Sequence, residues 1–352
     1  MRTRTGEEGF TLVELLVGSV ITMVVMGVAF STFRDALRLN ESAVQLSDAS
    51  QNLRTGANLL VRDLLQAGRN LPTGGIAIPA GAGVLPIQRP GPTGTSYTFD
   101  NTTQTTLQAI TTGNAQGPTI AGKATDLVTI MMDDPLLAPL TLQPSTFSGA
   151  VPKLSSDGST FNVSSQTAWL TGNAADAIAP VQVGDLIYFL SSKGSAIQTV
   201  TAVTGATVTF AANDPFRFNQ RGAPAGSITQ IKGVTMTARR VFMYTYYVKE
   251  EAAGLPRLYR AVNFSTPQAL AGVLESLDLS YDVVDGEENP TDLATLPVTI
   301  SGTTYNASQI RKAILKVGVR SETKVANRND YLRSNLSTVV AIRNLAYVDR
   351  YK

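Results

Sequence analysis

Hydrophobic and polar positions divide the chain into three regimes. From Phe10 to Phe33 the residues are apolar with one charge among them, Glu14. A helix rises ~1.5 Å per residue, so the run is long enough to cross the ~30 Å hydrocarbon core of a bilayer. It is apolar all round, as a membrane or filament-core helix must be. Arg2 and Arg4 precede it and the next cation is Arg34. That asymmetry keeps the short leader cytoplasmic and exports the large C-terminal part.

The second regime is amphipathic. Residues 34 to 71 lack Pro, and Leu53, Ala57, Leu60, Leu64, Ala67 and Leu71 recur in alternate steps of four and three. The spacing predicts one helix continuous with the apolar run, stopped by Gly68 and Pro72. Arg62-Asp63 reads as part of its solvated face.

The third regime has the shorter period of strands. Residues 72–96 hold five prolines among glycines and predict a loop or an edge-hugging connection. Gly81 and Gly83 lack the Lys-Ser/Thr pair of a phosphate loop. Within 97–235, short strands are expected at 127–132, 186–190, 198–203 and 207–210, with turns at Asp157-Gly158, Lys193-Gly194 and Thr204-Gly205. The runs 183–189 and 200–203 read as a small barrel or meander, and 97–235 as an inserted β-rich subdomain. From 236 to 352 the strands lengthen, at 241–249, 257–262, 277–283, 310–319 and 336–341, with a short helix expected within 268–276. The expected class is α+β: a long N-terminal helix, membrane-spanning over 10–33, whose half from 34 to 71 packs on an antiparallel sheet.

Composition narrows the chemistry. At 352 residues the chain holds one large or two ordinary domains, and its net charge of +2 gives no global field for nucleic acid. There is no Cys and no His, which removes disulfides, thiolate zinc sites, Ser-His triads and the usual general base near neutral pH. A structural or binding role is expected, with no cofactor and no enzymatic activity. Asp133-Asp134 is an unpromising acid-base pair, because adjacent strand residues face opposite ways. Trp169 reads either as an exposed contact or as core.

The segment Gly9-Phe10-Thr11-Leu12-Val13-Glu14-Leu15-Leu16, behind its short basic leader, resembles the prepilin signature of type IV pilins and type II secretion pseudopilins. The resemblance implies cleavage between Gly9 and Phe10 by an inner-membrane prepilin peptidase, N-methylation of Phe10, and subunit assembly through Glu14. After cleavage Glu14 is the fifth residue, one turn from the new amine. A carboxylate inside a membrane calls for a partner, and pairing with a neighbouring subunit's amine offsets much of its desolvation. Glu7 and Glu8 depart from the neutral or basic leader usual before the cut.

Residues 51–68 and the segments Tyr246-Tyr247-Val248, Leu258-Tyr259-Arg260, Val317-Gly318-Val319-Arg320-Ser321 and Val339 to Leu345 resemble PilW-like minor pilins. The implied fold is type IV pilin-like. The implied partners are the prepilin peptidase, other minor and major pilins and the inner-membrane assembly platform. The head would be periplasmic, and extracellular once assembled. A minor pseudopilin of a type II secretion system is the alternative, and a membrane-anchored exported enzyme a third.

Two constellations in the head carry candidate binding. Asp282, Asp285, Glu287, Glu288, Asn289 and Asp292 form an oxygen-rich loop suited to Ca²⁺, although Asp285-Gly286 is equally a turn signal. Arg217, Arg221, Lys232, Arg239 and Arg240 with Phe216, Phe218 and Phe242 have the composition of a single-strand stacking surface. The strand at 241–248 is apolar on both faces, which sends its aromatics to the core and speaks against nucleic acid.

Overall fold

A helix of 55 residues, Leu12–Gln66, opens the fold. The structure, a computed structural model, describes residues 10–91, 97–99, 101–102, 104–251, 254–322, 324 and 330–345. A capping box starts the helix: Glu14 N–H donates to Thr11 Oγ1 at 3.3 Å, and Thr11 N–H donates to Glu14 Oε2 at 3.0 Å. Each side chain thereby satisfies a backbone donor that the first turn leaves free.

The helix ends at Gln66, short of the expected 71. Gly68 takes φ +75°, and its N–H donates to Met131 O at 2.9 Å. A Cβ there would lie 2.6 Å from Leu345 Cδ2, so the left-handed turn and the close approach both call for glycine. Leu71 therefore sits beyond the helix, half-buried against the core around Ile76 and Met243.

Packing follows the amphipathic half. Leu53, Ala57, Leu60, Leu64 and Ala67 are buried, whereas Leu12, Val20, Met23, Phe30 and Phe33 are all exposed. The apolar half thus projects from the head as a bare rod.

One strand, Met236–Glu250, organises the head. Its first residues pair with Leu186–Ser191 and with Leu140–Leu142 at once, so those two strands lie on opposite edges. Its second half pairs with Leu127–Asp133 and Pro256–Val262 in the same way. Ile110–Gly113, Gly194–Thr199 and Gln268–Ala271 complete an eight-stranded sheet.

This strand feeds four cores, the smallest of them Tyr247 with Leu127 and Ala261. Met236 and Ala238 join a distal core around Phe161, Trp169, Phe189 and Phe210. Val241 and Met243 join Ile76, Leu186, Tyr188, Phe216 and Phe218. Tyr246 and Val248 join the helix stripe. The sheet crosses the boundary expected between residues 235 and 236, drawing Leu127–Asp133 and Leu186–Ser191 into one pleat with the C-terminal strands.

Leu274–Val283, Ile310–Arg320 and Arg333–Ala341 form a separate three-stranded antiparallel sheet whose last two strands lie against the helix. Their inward residues Leu277, Leu279, Leu315 and Val317 complete the core over Leu60 and Leu64.

Two local expectations are corrected. Residues 268–276 are not helical: Gln268–Ala271 pairs with Pro256–Val262, and Leu274 begins the next strand. Tertiary packing overrides propensity there, because Ala271 is wedged beneath Gly56 of the long helix. The run 198–203 is split. Gly194–Thr199 forms a hairpin with Leu186–Ser191, while Ala202–Thr204 joins Thr207–Thr209 in a small sheet. The switch is fixed at Thr201, whose Oγ1 donates to Thr209 O and accepts from Ala211 N–H. Within 72–96, Ile76–Ala77 and Ile87–Gln88 each make a two-residue pairing.

Candidate functional site

Among the described residues, the apolar half of the helix stands without packing partners. No residue of its most apolar stretch is buried, and the mean hydropathy there is 2.3. Three of its hydroxyls turn inward on their own helix: Ser19 Oγ donates to Leu16 O at 2.8 Å, Thr22 Oγ1 to Gly18 O at 2.7 Å, and Thr32 Oγ1 to Val28 O at 2.7 Å. These three are satisfied without water, which suits a lipid or all-helix environment.

At the tip, Phe10 is exposed, Thr11 is extended, and Glu14 occupies the third helical position. The Glu14 carboxylate also accepts from Thr11 Oγ1 at 3.0 Å. It therefore points back along the axis toward the residue that would carry a new amine. Thr11 engages Oε2, and Oε1 makes no bond with the described residues. Gly9 lies outside the described residues, and with it the geometry of the expected cut.

Where the apolar run ends, Arg34, Asp35, Arg38 and Glu41 bring charge back to the helix, with Arg38 and Asp35 at 3.9 Å. These charges mark the point at which the helix leaves an apolar environment.

The head constellations resolve differently. In the oxygen-rich loop, Asp285 Oδ1 accepts from the Glu287 and Asn289 N–H groups, and Asn289 Oδ1 accepts from the Asp285 and Gly286 N–H groups. These bonds hold the Asp285 carboxyl below its usual range. Asp282 Oδ1 is spent on the Asp292 N–H. Glu287 and Glu288 point to solvent, and among the described residues no three acidic side chains converge as metal ligands.

The stacking surface is not assembled. Phe216 and Phe218 are buried against one another at 5.4 Å. Arg240 is buried on Asp134 and Asp185, and Arg239 approaches Asp133 at 3.4 Å. Asp133 also takes Arg69 at 3.0 Å and the Asn70 amide at 2.8 Å. Both carboxylates of the Asp133-Asp134 pair are thus tied to cations, one on each face. Trp169 is core, its indole N–H donating to Ala138 O at 3.0 Å.

Asp63 is the residue that sequence reasoning misplaced. It is buried, not solvated: its Oδ2 accepts from Tyr246 Oη at 2.6 Å and from Arg260 Nε and Nη2 at 3.0 and 2.8 Å. Arg260 in turn lies over the Tyr244 ring at 4.1 Å. Burial beside the Asp63 charge pushes the Tyr246 phenol well up. The signal was present in the spacing, because Leu60, Asp63, Leu64 and Ala67 share one helical face.

Comparison with known proteins bears on the rod. The family described as the prokaryotic N-terminal methylation motif matches residues 4–30. No curated protein and no solved structure matches the chain. The chain therefore carries a type IV pilin-like prepilin signal of the pilin and pseudopilin type. A motif of this kind followed by one long apolar helix is the arrangement of a single-pass, membrane-anchored protein with an exported, strand-rich head.

Proposed function

We propose that the chain is a minor pilin of a type IV pilus. In this reading the prepilin peptidase cuts between Gly9 and Phe10, the new amine of Phe10 is methylated, and the helix enters the core of a pilus-initiating or tip complex with other pilins. The leader starts on the cytoplasmic side and the head in the periplasm.

The observation that carries it is the conjunction at the rod tip. Within the matched residues, Glu14 sits in the first turn of an otherwise uncharged helix that is exposed all round. A lone carboxylate there is costly unless met by a cation, and one turn away lies the backbone nitrogen that cleavage would expose. The same carboxylate suits the positive end of its own helix dipole.

The head supports the pilus over the pseudopilus reading by its size, since a second aromatic core extends the sheet beyond what covers the helix. The chain contributes no bond chemistry of its own in this role. Extraction from the membrane falls to the assembly machinery.

Intact-mass analysis of the membrane-extracted chain, with and without the prepilin peptidase, tests the reading. Loss of residues 1–9 and gain of a methyl group on Phe10, both dependent on the peptidase, are expected. An uncut chain in both backgrounds would overturn it.

A further inference from the structure

The near-neutral net charge conceals a segregation of sign. Between residues 186 and 249 the chain has seven cations and one carboxylate, Asp214. Asp214 is buried, accepting from Thr199 Oγ1 at 2.5 Å and from the Phe218 and Asn219 N–H groups. Between residues 261 and 310 there are seven carboxylates and no Lys or Arg. Folding turns this pattern into two opposed surfaces.

The basic surface is a band over the distal core. Lys193 Nζ donates to Lys232 O at 3.1 Å, and Lys232 Nζ to Ser156 O at 2.7 Å. Lys232 follows the short helix Ile228–Ile231, where Thr229 Oγ1 donates to Arg221 O at 2.9 Å. Arg221 Nη1 rests on Phe210 O at 2.8 Å, and Arg217 Nη1, four residues earlier in the same loop, reaches Pro86 O at 3.4 Å. Backbone carbonyls position these four cations without neutralising them, and none forms an ion pair with a described carboxylate. Asp157, next to Ser156, is turned into its own loop by Ser155 and Ser159.

The acidic surface is the loop that joins the strand ending at Val283 to residue 292. Glu287, Glu288 and Asp292 are exposed and Asp285 is half-buried, again with no ion pair to a described cation. Asp282 is excluded, because Lys312 stands opposite it across the strands. The loop caps the helix-packed core through Tyr281 and Val283, whereas the band overlies the distal core through Phe210 and Ile228.

We infer that these surfaces dock on one another between two copies of this chain, head to tail. Four cations meet four carboxylates, none of them ion-paired among the described residues, and Phe216 and Phe218 of the basic loop are buried rather than offered for a nucleic-acid strand to stack on. A contact between unlike surfaces repeats from copy to copy and does not close on itself as a two-fold dimer does. This goes beyond the reading above, in which the chain assembles with other pilins, by giving the heads a contact of their own, and it does not require the leader to be cut.

The absence of Cys makes cross-linking the test. Gly222 is exposed with open space at its Cβ beside Arg221, and Thr291 is exposed beside Asp292. Full-length copies bearing Gly222→Cys and Thr291→Cys, distinguished by tags, are co-expressed without the prepilin peptidase and treated in membranes with a short bis-maleimide.

A 222-to-291 product is expected, decreasing steeply as salt is raised. Lys193→Glu with Lys232→Glu in one copy, or Glu287→Lys with Glu288→Lys in the other, should lower it about tenfold. Combining the two reversed copies should restore it. No product at low salt, or a product indifferent to salt and to both reversals, overturns the proposal. The salt series uses the unreversed chain, so a reversed copy that fails to fold leaves the test intact. Because the leader remains in place, failure here is distinct from failure of the peptidase experiment.

Discussion

Asp63 accepts the Tyr246 hydroxyl proton at 2.6 Å across a sequence separation of 183 residues, and this bond fixes the long helix on the head. Arg260 closes the arrangement from the neighbouring strand, two charge-assisted donors on the same oxygen. Leu60 and Leu64 supply area on that face, but apolar contacts alone permit sliding. The carboxylate specifies register, because it can meet Tyr246 and Arg260 in one position only.

Replacing it separates area from specificity. Asp63→Asn leaves the Arg260 guanidinium, only 14% exposed, without its countercharge and should cost about 3 kcal/mol. Arg62→Ala removes a longer contact of 3.4 Å from a side chain that is 60% exposed and should cost under about 0.5 kcal/mol. Urea unfolding of the full chain in detergent, followed by near-ultraviolet circular dichroism, measures both. Equal effects from the two variants would sink the register argument.

Gly56 offers a test in which the sign of an effect reverses. A Cβ at this helix position would stand 2.8 Å from Ala271 Cβ and 3.2 Å from Leu258 Cδ2. Helix propensity favours Gly56→Ala by about 1 kcal/mol, but overpacking costs about 1–3 kcal/mol, so the single variant should be destabilised. With Ala271→Gly in place the 2.8 Å clash is gone and the Leu258 methyl at 3.2 Å can shift by rotation, so the same substitution should stabilise by up to about 1 kcal/mol. Thermal unfolding of the four chains of this cycle decides it. Additive effects would mean that helix and strand do not touch here.

Buried phenols set the alkaline limit of the head. Burial pushes the phenols of Tyr246 and Tyr281 well above their ordinary value and that of Tyr247 up to about 12. In each case the folded state holds the proton more tightly than the unfolded chain, whose tyrosines ionise near pH ~10. The stability this confers is complete below that pH and is lost as pH rises through the folded values. Unfolding free energy should therefore be flat just below pH ~10 and fall above it. Tyr247→Phe should make the fall shallower. Tyr281→Phe should do the same and raise neutral-pH stability by about 1 kcal/mol, because the buried Tyr281 hydroxyl has no partner among the described residues. A slope unchanged in both variants would remove these tyrosines from the account.

The same comparisons show what the sequence made legible. Periodicity located the helix stripe and the long C-terminal strands to within a few residues, because each buries one face and the pattern has to obey the pleat or the turn. Position 63 was misread because Asp-Arg beside each other look solvated, and its partners Tyr246 and Arg260 are distant in sequence. Residues 268–271 were misread for a related reason: Ala, Leu and Gln favour helix locally, and only the presence of Gly56 above Ala271 makes a strand the better answer. The rod tip was the most readable part, since capping and charge there act within four residues. The union of the distal strands with the head in one sheet was the least, since it depends on Met236–Glu250 pairing along its whole length with partners from four parts of the chain.

At the rod tip, two roles of Glu14 are separable by chemistry. As a cap, it needs only an oxygen to accept the Thr11 N–H, and an amide supplies one. As the partner of a terminal amine in a neighbouring copy, it needs a negative charge. Glu14→Gln keeps the cap and loses the charge, while Glu14→Ala loses both. Neither should alter urea unfolding of the head, whose packed stripe begins only at Leu53. If assembly depends on the charge, both variants accumulate in the membrane, cut and methylated, and neither appears in sheared filament fractions probed by immunoblot. If Glu14→Gln is incorporated like the parent chain, the carboxylate is a cap and no more, and the amine-pairing role proposed for it is withdrawn.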